Sequence, residues 1–247
     1  MRYVNKDISN PLVQDTISRL NQSRTYNDDP NIYVNLRKLY GACCAYCESQ
    51  YDDVAYSQLD HFYPKSKKEY KIFSKEVRNL HYACPRCNNL KGNKVNEIFS
   101  PNWYLNAENE WTSTNPRKIE SELYYVGHLL YSRNAIEGST DRGQNTIELF
   151  NLNNGKYTIR GHRAYLVENR LRGLYNAYAL IKNITNLLKN YSVNIDSTIL
   201  NLLQQLIKMT TYEAEYSTMI LHNYGDLIIK LLKIYKKKKE QHKNYIL

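Results

Sequence analysis

The chain has 247 residues, of which 42% are hydrophobic, and 34 Lys and Arg against 24 Asp and Glu give it a formal net charge of +10. That balance excludes wholesale disorder and dependence on disulfides, and no apolar run reaches the ~18 residues of a membrane span. With no signal-like apolar stretch at the N-terminus either, a cytoplasmic protein without membrane contact is expected.

Taken in chain order, Val13, Ile17 and Leu20 recur at helical spacing behind Pro11, and Ile32, Leu36 and Leu39 do so behind Asp29-Pro30, stopping at Gly41. A cysteine-rich region follows. Residues 103–133 read as loops and strands, because Leu123 to Val126 and His128 to Tyr131 flank Gly127 like a tight hairpin. Downstream, Val167, Leu171, Leu174, Tyr178, Ile181 and Leu188 share one face of a long helix, and Ile199, Leu202, Leu206 and Met209 mark another. A last helix runs from about Asp226 through Leu231 and Tyr235 into lysines. There is no internal repeat. The fold class is α+β and mostly helical, with a helical segment at 1–40, a cysteine-bearing core at 41–98, a hairpin and loop region at 99–155 and a basic-ended helical region at 156–247. A soft boundary is expected near Asn153-Asn154-Gly155.

Charge is concentrated in two places. Nine Lys and Arg against two acids lie between His61 and Lys94, and seven Lys against two acids from Asp226 to Leu247. A basic patch among cysteines is a footprint for phosphates, whereas a lysine run on a terminal helix reads first as a solvated end.

Cys44-Ala45-Tyr46-Cys47 and Cys84-Pro85-Arg86-Cys87 supply four thiolates, the ligand set of a closed structural zinc site. The pairs are 36 residues apart, more than in an ordinary zinc ribbon, but lengthening a loop is cheap at ~0.6 kcal/mol per doubling. Zinc can therefore clamp the base of a sizeable insert. Cys43 is left over, as a small buried hydrophobe or a competitor of Cys44 for the metal.

The insert carries Asp60-His61, then Asn79-Leu80, and Cys87 runs into Asn88-Asn89-Leu90-Lys91-Gly92. An Asp-His at a strand end, an Asn-Leu ahead of the second cysteine pair and a Cys-Asn-x-x-Lys-Gly after it resemble an HNH endonuclease. The resemblance covers residues 41–94 and implies a ββα-metal core that cleaves phosphodiesters and leaves a 5′-phosphate. His61, with an ordinary imidazole pKa of ~6.5, is the general base expected there. Asp60 and Asn88 offer hard oxygen ligands for a catalytic Mg²⁺ or Mn²⁺, although adjacent strand residues normally point to opposite faces. Only the resemblance reconciles Asp60 with His61. Asn79 takes the family's middle Asn, whose role is to hold the histidine strand. The third motif letter falls on Asn88, with Asn89 and His81 as substitutes, and His81 reads first as a packing residue. Lys65, Arg86 and Lys91 are candidates for phosphate contacts, with solvated charge as the alternative for each.

More narrowly, the hairpin about Gly127 and the run Thr146 to Asn153 resemble the PtuB-type HNH subunits of Septu anti-phage systems, which also accompany some retrons. That resemblance implies an effector nuclease working with a PtuA-like ABC-type ATPase and, in a retron setting, a reverse transcriptase with its msDNA. DNA is the substrate expected first and RNA, such as tRNA, the alternative. The rival reading is a zinc-knuckle module that holds nucleic acid or a protein without cutting. Zinc and lysines serve both, but Asp60, His61 and Asn88 together are needed only by a nuclease.

Overall fold

The computed structural model describes residues 1, 4–50, 58–95, 98–100, 103–106, 108, 110–113, 123–132, 142–153 and 164–243. It divides into two compact units, Met1–Tyr124 with Leu130–Asn154, and Tyr125–Leu129 with Gly155–Leu247. Asn154 and Gly155, where the sequence suggests a boundary, lie outside the described residues.

The first unit opens with α1 (Pro11–Gln22) and α2 (Pro30–Leu39), which begin by the same device. Asn10 and Asp29 each accept a hydrogen bond from a backbone N–H of the first turn, and a proline with no N–H to satisfy follows at once. Val13 and Leu20 of α1 and Ile32, Leu36 and Leu39 of α2 are the buried faces. Past α2 the chain turns sharply, with Gly41 and Ala42 both at left-handed φ, 57° and 58°.

Strands β1 (Gln58–His61) and β2 (Leu80–Ala83) pair antiparallel, His61 opposite Leu80 and Asp60 opposite His81. Two 3₁₀ turns, Lys68–Phe73 and Val77–Asn79, lie between them. The chain passes from β2 directly into α3 (Pro85–Lys91), capped by the Cys84 sulfur and again opened by proline. Short strands β3 (Trp103–Leu105) and β4 (Trp111–Ser113) form a second pair, and β5 (Leu123–Val126) with β6 (Leu129–Ser132) a third. Gly127 turns the last hairpin at φ 60°, a conformation that disfavours side chains even where space is open.

Helix α4 (Arg142–Leu149) stands where the sequence suggested only hairpin and loop. Its apolar positions are few, so periodicity is silent, but Ile147, Phe150 and Leu152 are buried. Phe150 stacks on Tyr46 at 4.4 Å between ring centroids, and the Thr146 hydroxyl accepts from the Phe99 N–H.

In the second unit α5 (Ala164–Lys189), α6 (Asp196–Lys208) and α7 (Ser217–Lys243) pack mutually as a three-helix bundle. The buried stripe of α5 is Leu166, Leu174, Ala177, Ile181, Ile184 and Leu188, whereas Tyr178 is 54% exposed. A periodic pattern read by hydrophobicity alone admitted the tyrosine and passed over the alanine. Helix α7 begins earlier than its sequence suggests, at Ser217 instead of near Asp226, because buried Met219 and Ile220 anchor its first turns and Gly225 is tolerated inside it. Its basic end is tied to α6 by a Lys239–Asp196 ion pair of 2.9 Å. No helix among the described residues is long and apolar enough to cross a membrane.

Candidate active site and metal centre

The metal centre is built from two tight turns. In the first, the Cys44 N–H donates to the Ser49 carbonyl and the Glu48 N–H to the Cys44 carbonyl, with Glu48 at φ 63°. In the second, Cys84 caps α3 and its sulfur accepts from the Cys87 N–H at 3.3 Å. These turns gather the sulfurs of Cys44, Cys47, Cys84 and Cys87 within 4.8 Å of one another, all buried. Tetrahedral zinc thiolate, with bonds of ~2.3 Å, needs sulfurs about 3.8 Å apart, so the cluster fits. Burial pushes the thiols of Cys44 and Cys87 up, whereas the hydrogen bond with Cys44 lowers Cys84, and a bound cation would favour the thiolate form throughout the cluster. Cys43 stands outside the cluster, its thiol donating to the Gly41 carbonyl.

Clamped above this centre are β1, β2 and α3. Strand alternation sends Gln58 and Asp60 toward α3, where Asn88 donates to the Gln58 side chain and the Lys91 ammonium lies 3.2 Å from Asp60 Oδ1. The other Asp60 oxygen accepts from the Tyr46 hydroxyl, and the carboxylate is only 4% exposed. His61 turns elsewhere. Its ring meets Tyr26 edge-on at 4.8 Å, and its Nε2 donates to the Ser74 carbonyl at 2.9 Å. That bond requires the hydrogen on Nε2, leaving Nδ1 as the nitrogen able to accept a proton. Asn79, fully buried, accepts from the Tyr63 N–H and donates to the carbonyls of Tyr63 and Phe73, binding the loop after β1 to the start of β2.

Residues 44–94 match the family model of the HNH endonuclease. The matched stretch takes in the metal centre, β1, β2 and α3, and the family it matches is one of nucleases, which are hydrolases. No curated protein and no solved structure matches the chain.

Within the HNH region the proposed residues are not all brought to one face. Asp60, Asn88 and Lys91 belong to the β1–α3 side, His61 to the side of Tyr26 and Ser74. Lys91 is fully buried and spends its ammonium on Asp60 and on the carbonyls of His61 and Gly92, so it faces no solvent phosphate. Lys65 is exposed and lies 4.7 Å above the Tyr26 ring, while Arg86 is half-buried on α3 and Asn89 is exposed there. Sequence reasoning missed Tyr26, Tyr46, Ser74 and Lys6. Tyr46 had a signal, since it sits inside the first cysteine pair; the Ser74 contribution is a backbone carbonyl and has none.

Burial dominates the electrostatics. It pushes the His61 imidazole below its ordinary value, and the Ser74 bond offsets this only in part, so the ring is neutral at pH 7. Burial likewise lowers the ammonium of Lys91, with Asp60 opposing, and raises the Tyr46 hydroxyl well above its usual value. His81 is fully buried against the Tyr40 hydroxyl and is held well below the imidazole range by burial, then by Lys6, Lys91 and His61. The unfolded imidazole gains a proton below pH ~6.5 and the folded one does not, so stability is lost as pH falls through that range. The slope approaches about 1.4 kcal/mol per pH unit. His61 adds in the same direction, so the quantity to read is the difference between wild type and His81→Phe in urea midpoints from pH 7 to 5. The variant is expected to flatten the dependence; parallel curves would show that His81 does not carry it.

Proposed function

We propose that this protein is a metal-dependent endonuclease that hydrolyses nucleic-acid phosphodiester bonds from an HNH site centred on His61. The observation that carries this reading is the Nε2 bond from His61 to the Ser74 carbonyl, which fixes the tautomer and presents Nδ1 as a neutral base at pH 7. Nδ1 takes a proton from the attacking water, and Asn79 holds the loop on which the histidine strand depends. The resemblance gives Asp60 and Asn88 as hard-oxygen donors for Mg²⁺ or Mn²⁺, although Tyr46 and Lys91 engage both Asp60 oxygens, so Asp60 would take the cation only by releasing Lys91. A cation so held would supply Lewis acidity for the leaving oxygen and would screen the phosphate charge. Lys65 is the basic group near His61 for a flanking phosphate, through its place over Tyr26. Zinc at the four cysteines is structural.

DNA is the substrate proposed first. An anti-phage role beside a PtuA-like ABC-type ATPase draws support from the resemblance of the Gly127 hairpin and the Thr146 to Asn153 run. A second reading, a zinc-stapled binding module, draws support from Asp60, whose oxygens are both engaged by Tyr46 and Lys91. Incubation with duplex DNA, single strands and total tRNA, with Mg²⁺ or Mn²⁺ and with EDTA, separates the two. Cleavage only with the added cation, leaving 5′-phosphates, is expected; binding without cleavage on every substrate would leave the module.

A further inference from the structure

Beside Tyr26, whose ring meets His61, the first unit holds a cleft of about 420 Å³, lined among others by Tyr26, Asp29 and Tyr33 about the start of α2 and by Gln58, Leu59 and Asn88 of β1 and α3. Its size falls within the ~300–1,000 Å³ of pockets that take small organic groups. Two aromatic rings border it, and both are backed. Tyr26 rests edge-on against His61, and Tyr33 leans on the buried Tyr82 ring at 5.6 Å. At the opposite wall Asn88 donates to the Gln58 carbonyl oxygen. That pairing uses one donor of Asn88 and the acceptor of Gln58, and keeps the Gln58 amide hydrogens as a group that can read a polar edge, the Asn88 oxygen being the one assigned to the cation above. Lys65 donates to the Tyr26 hydroxyl, and the carboxylate of the lining Asp29 is paired with Arg19.

Aromatic rings, carboxamide edges and a lysine held on one of the rings are the combination that holds a nucleobase still attached to its phosphate chain. We propose that this cleft binds one unpaired nucleobase of the nucleic-acid strand, stacked on Tyr33 and Tyr26, next to the phosphate attacked at His61. A base inside a duplex is already stacked and cannot enter, so the strand cut is one that presents an unpaired base at this point, as in a single strand, flap or loop. Tyr26 links the cleft to the chemistry, because its ring touches both His61 and Lys65. The placement beside a scissile phosphate rests on the nuclease reading above; the base-binding cleft does not.

The test uses the full zinc-loaded chain without added Mg²⁺ or Mn²⁺, so that the strand survives and His61 still backs Tyr26, and short single-stranded oligonucleotides with 2-aminopurine at successive positions. One position is expected to lose fluorescence on binding, and a blunt duplex with no unpaired base is expected to bind more weakly. Tyr33→Leu keeps an apolar side chain against Tyr82 without the aromatic face; it should abolish that quench and weaken binding by about 5- to 100-fold. Tyr33→Phe should restore both. In the cleaving protein the same Tyr33→Leu change should raise KM on single strands and leave kcat nearly unchanged. No position-specific quench, or a quench and affinity that Tyr33→Leu leaves intact, would overturn the cleft even if cleavage is normal. A quench lost in Tyr33→Leu would uphold it even if the wild-type chain cuts nothing, and the nuclease reading alone would then fall.

Discussion

Cys84→Ser is expected to release the zinc and unfold the HNH region, the largest stability effect of any single substitution here. The reason lies in how these elements are joined. Among the described residues β1 and β2, four residues each, ladder only with one another, and a two-stranded pair that short depends on what packs and ties it. The four cysteines join the turn after α2 to the N-terminus of α3, so one ion closes both turns. Structural zinc sites contribute ~10–16 kcal/mol in small metal-dependent peptides, as large as the ~5–15 kcal/mol total stability of an ordinary domain. Elemental analysis should find one zinc per wild-type chain and none in Cys84→Ser, whose thermal transition should lose the part belonging to residues 44–94. Cys43→Ala, outside the cluster, should keep its zinc. A folded, zinc-free wild-type preparation would contradict this account of the metal centre.

Asp60→Ala should cost about 3–5 kcal/mol, because it strips the buried Lys91 ammonium of its counter-ion. The pair is nearly solvent-free, with Lys91 fully buried and Asp60 4% exposed, and the Tyr46 hydroxyl would lose its acceptor as well. Asp60→Ala, Lys91→Met should recover much of that loss, since removing both charges is far cheaper than stranding one. Asn88→Ala, half-buried and bonded to Gln58, should cost under about 1 kcal/mol. Urea unfolding of the four proteins reads this directly. If Asp60→Ala unfolds at the wild-type midpoint, the Lys91 pair is not holding the site. The same numbers govern how activity is interpreted: lost cleavage in Asp60→Ala mixes folding with chemistry, whereas in Asn88→Ala it reports on the cation.

Local chemistry was legible in the sequence wherever one residue type does one job. Asp29-Pro30 marked a helix start because capping and the missing proline N–H act within four residues, and the paired cysteines announced a metal cluster because their spacing is set by one turn. The long-range partners of the site were not legible. Nothing near Asp60 in sequence says that Tyr46 and Lys91 close around it, or that Lys6 reaches the Val77 and Leu80 carbonyls 71 and 74 residues away. Helix α4 escaped because its burial depends on Tyr46 and Phe99, not on its own periodicity. The alternation rule did warn that Asp60 and His61 face apart, and their separate partners agree with it.

The central claim is that His61 is the base of a phosphodiester hydrolysis, and the rate of strand cleavage by His61→Ala against wild type, with Mg²⁺ present and zinc content and nucleic-acid affinity measured on the same samples, tests it most directly. The account predicts a loss of about 10²-fold or more in rate with zinc and affinity unchanged. Equal cleavage rates in the two proteins would contradict it.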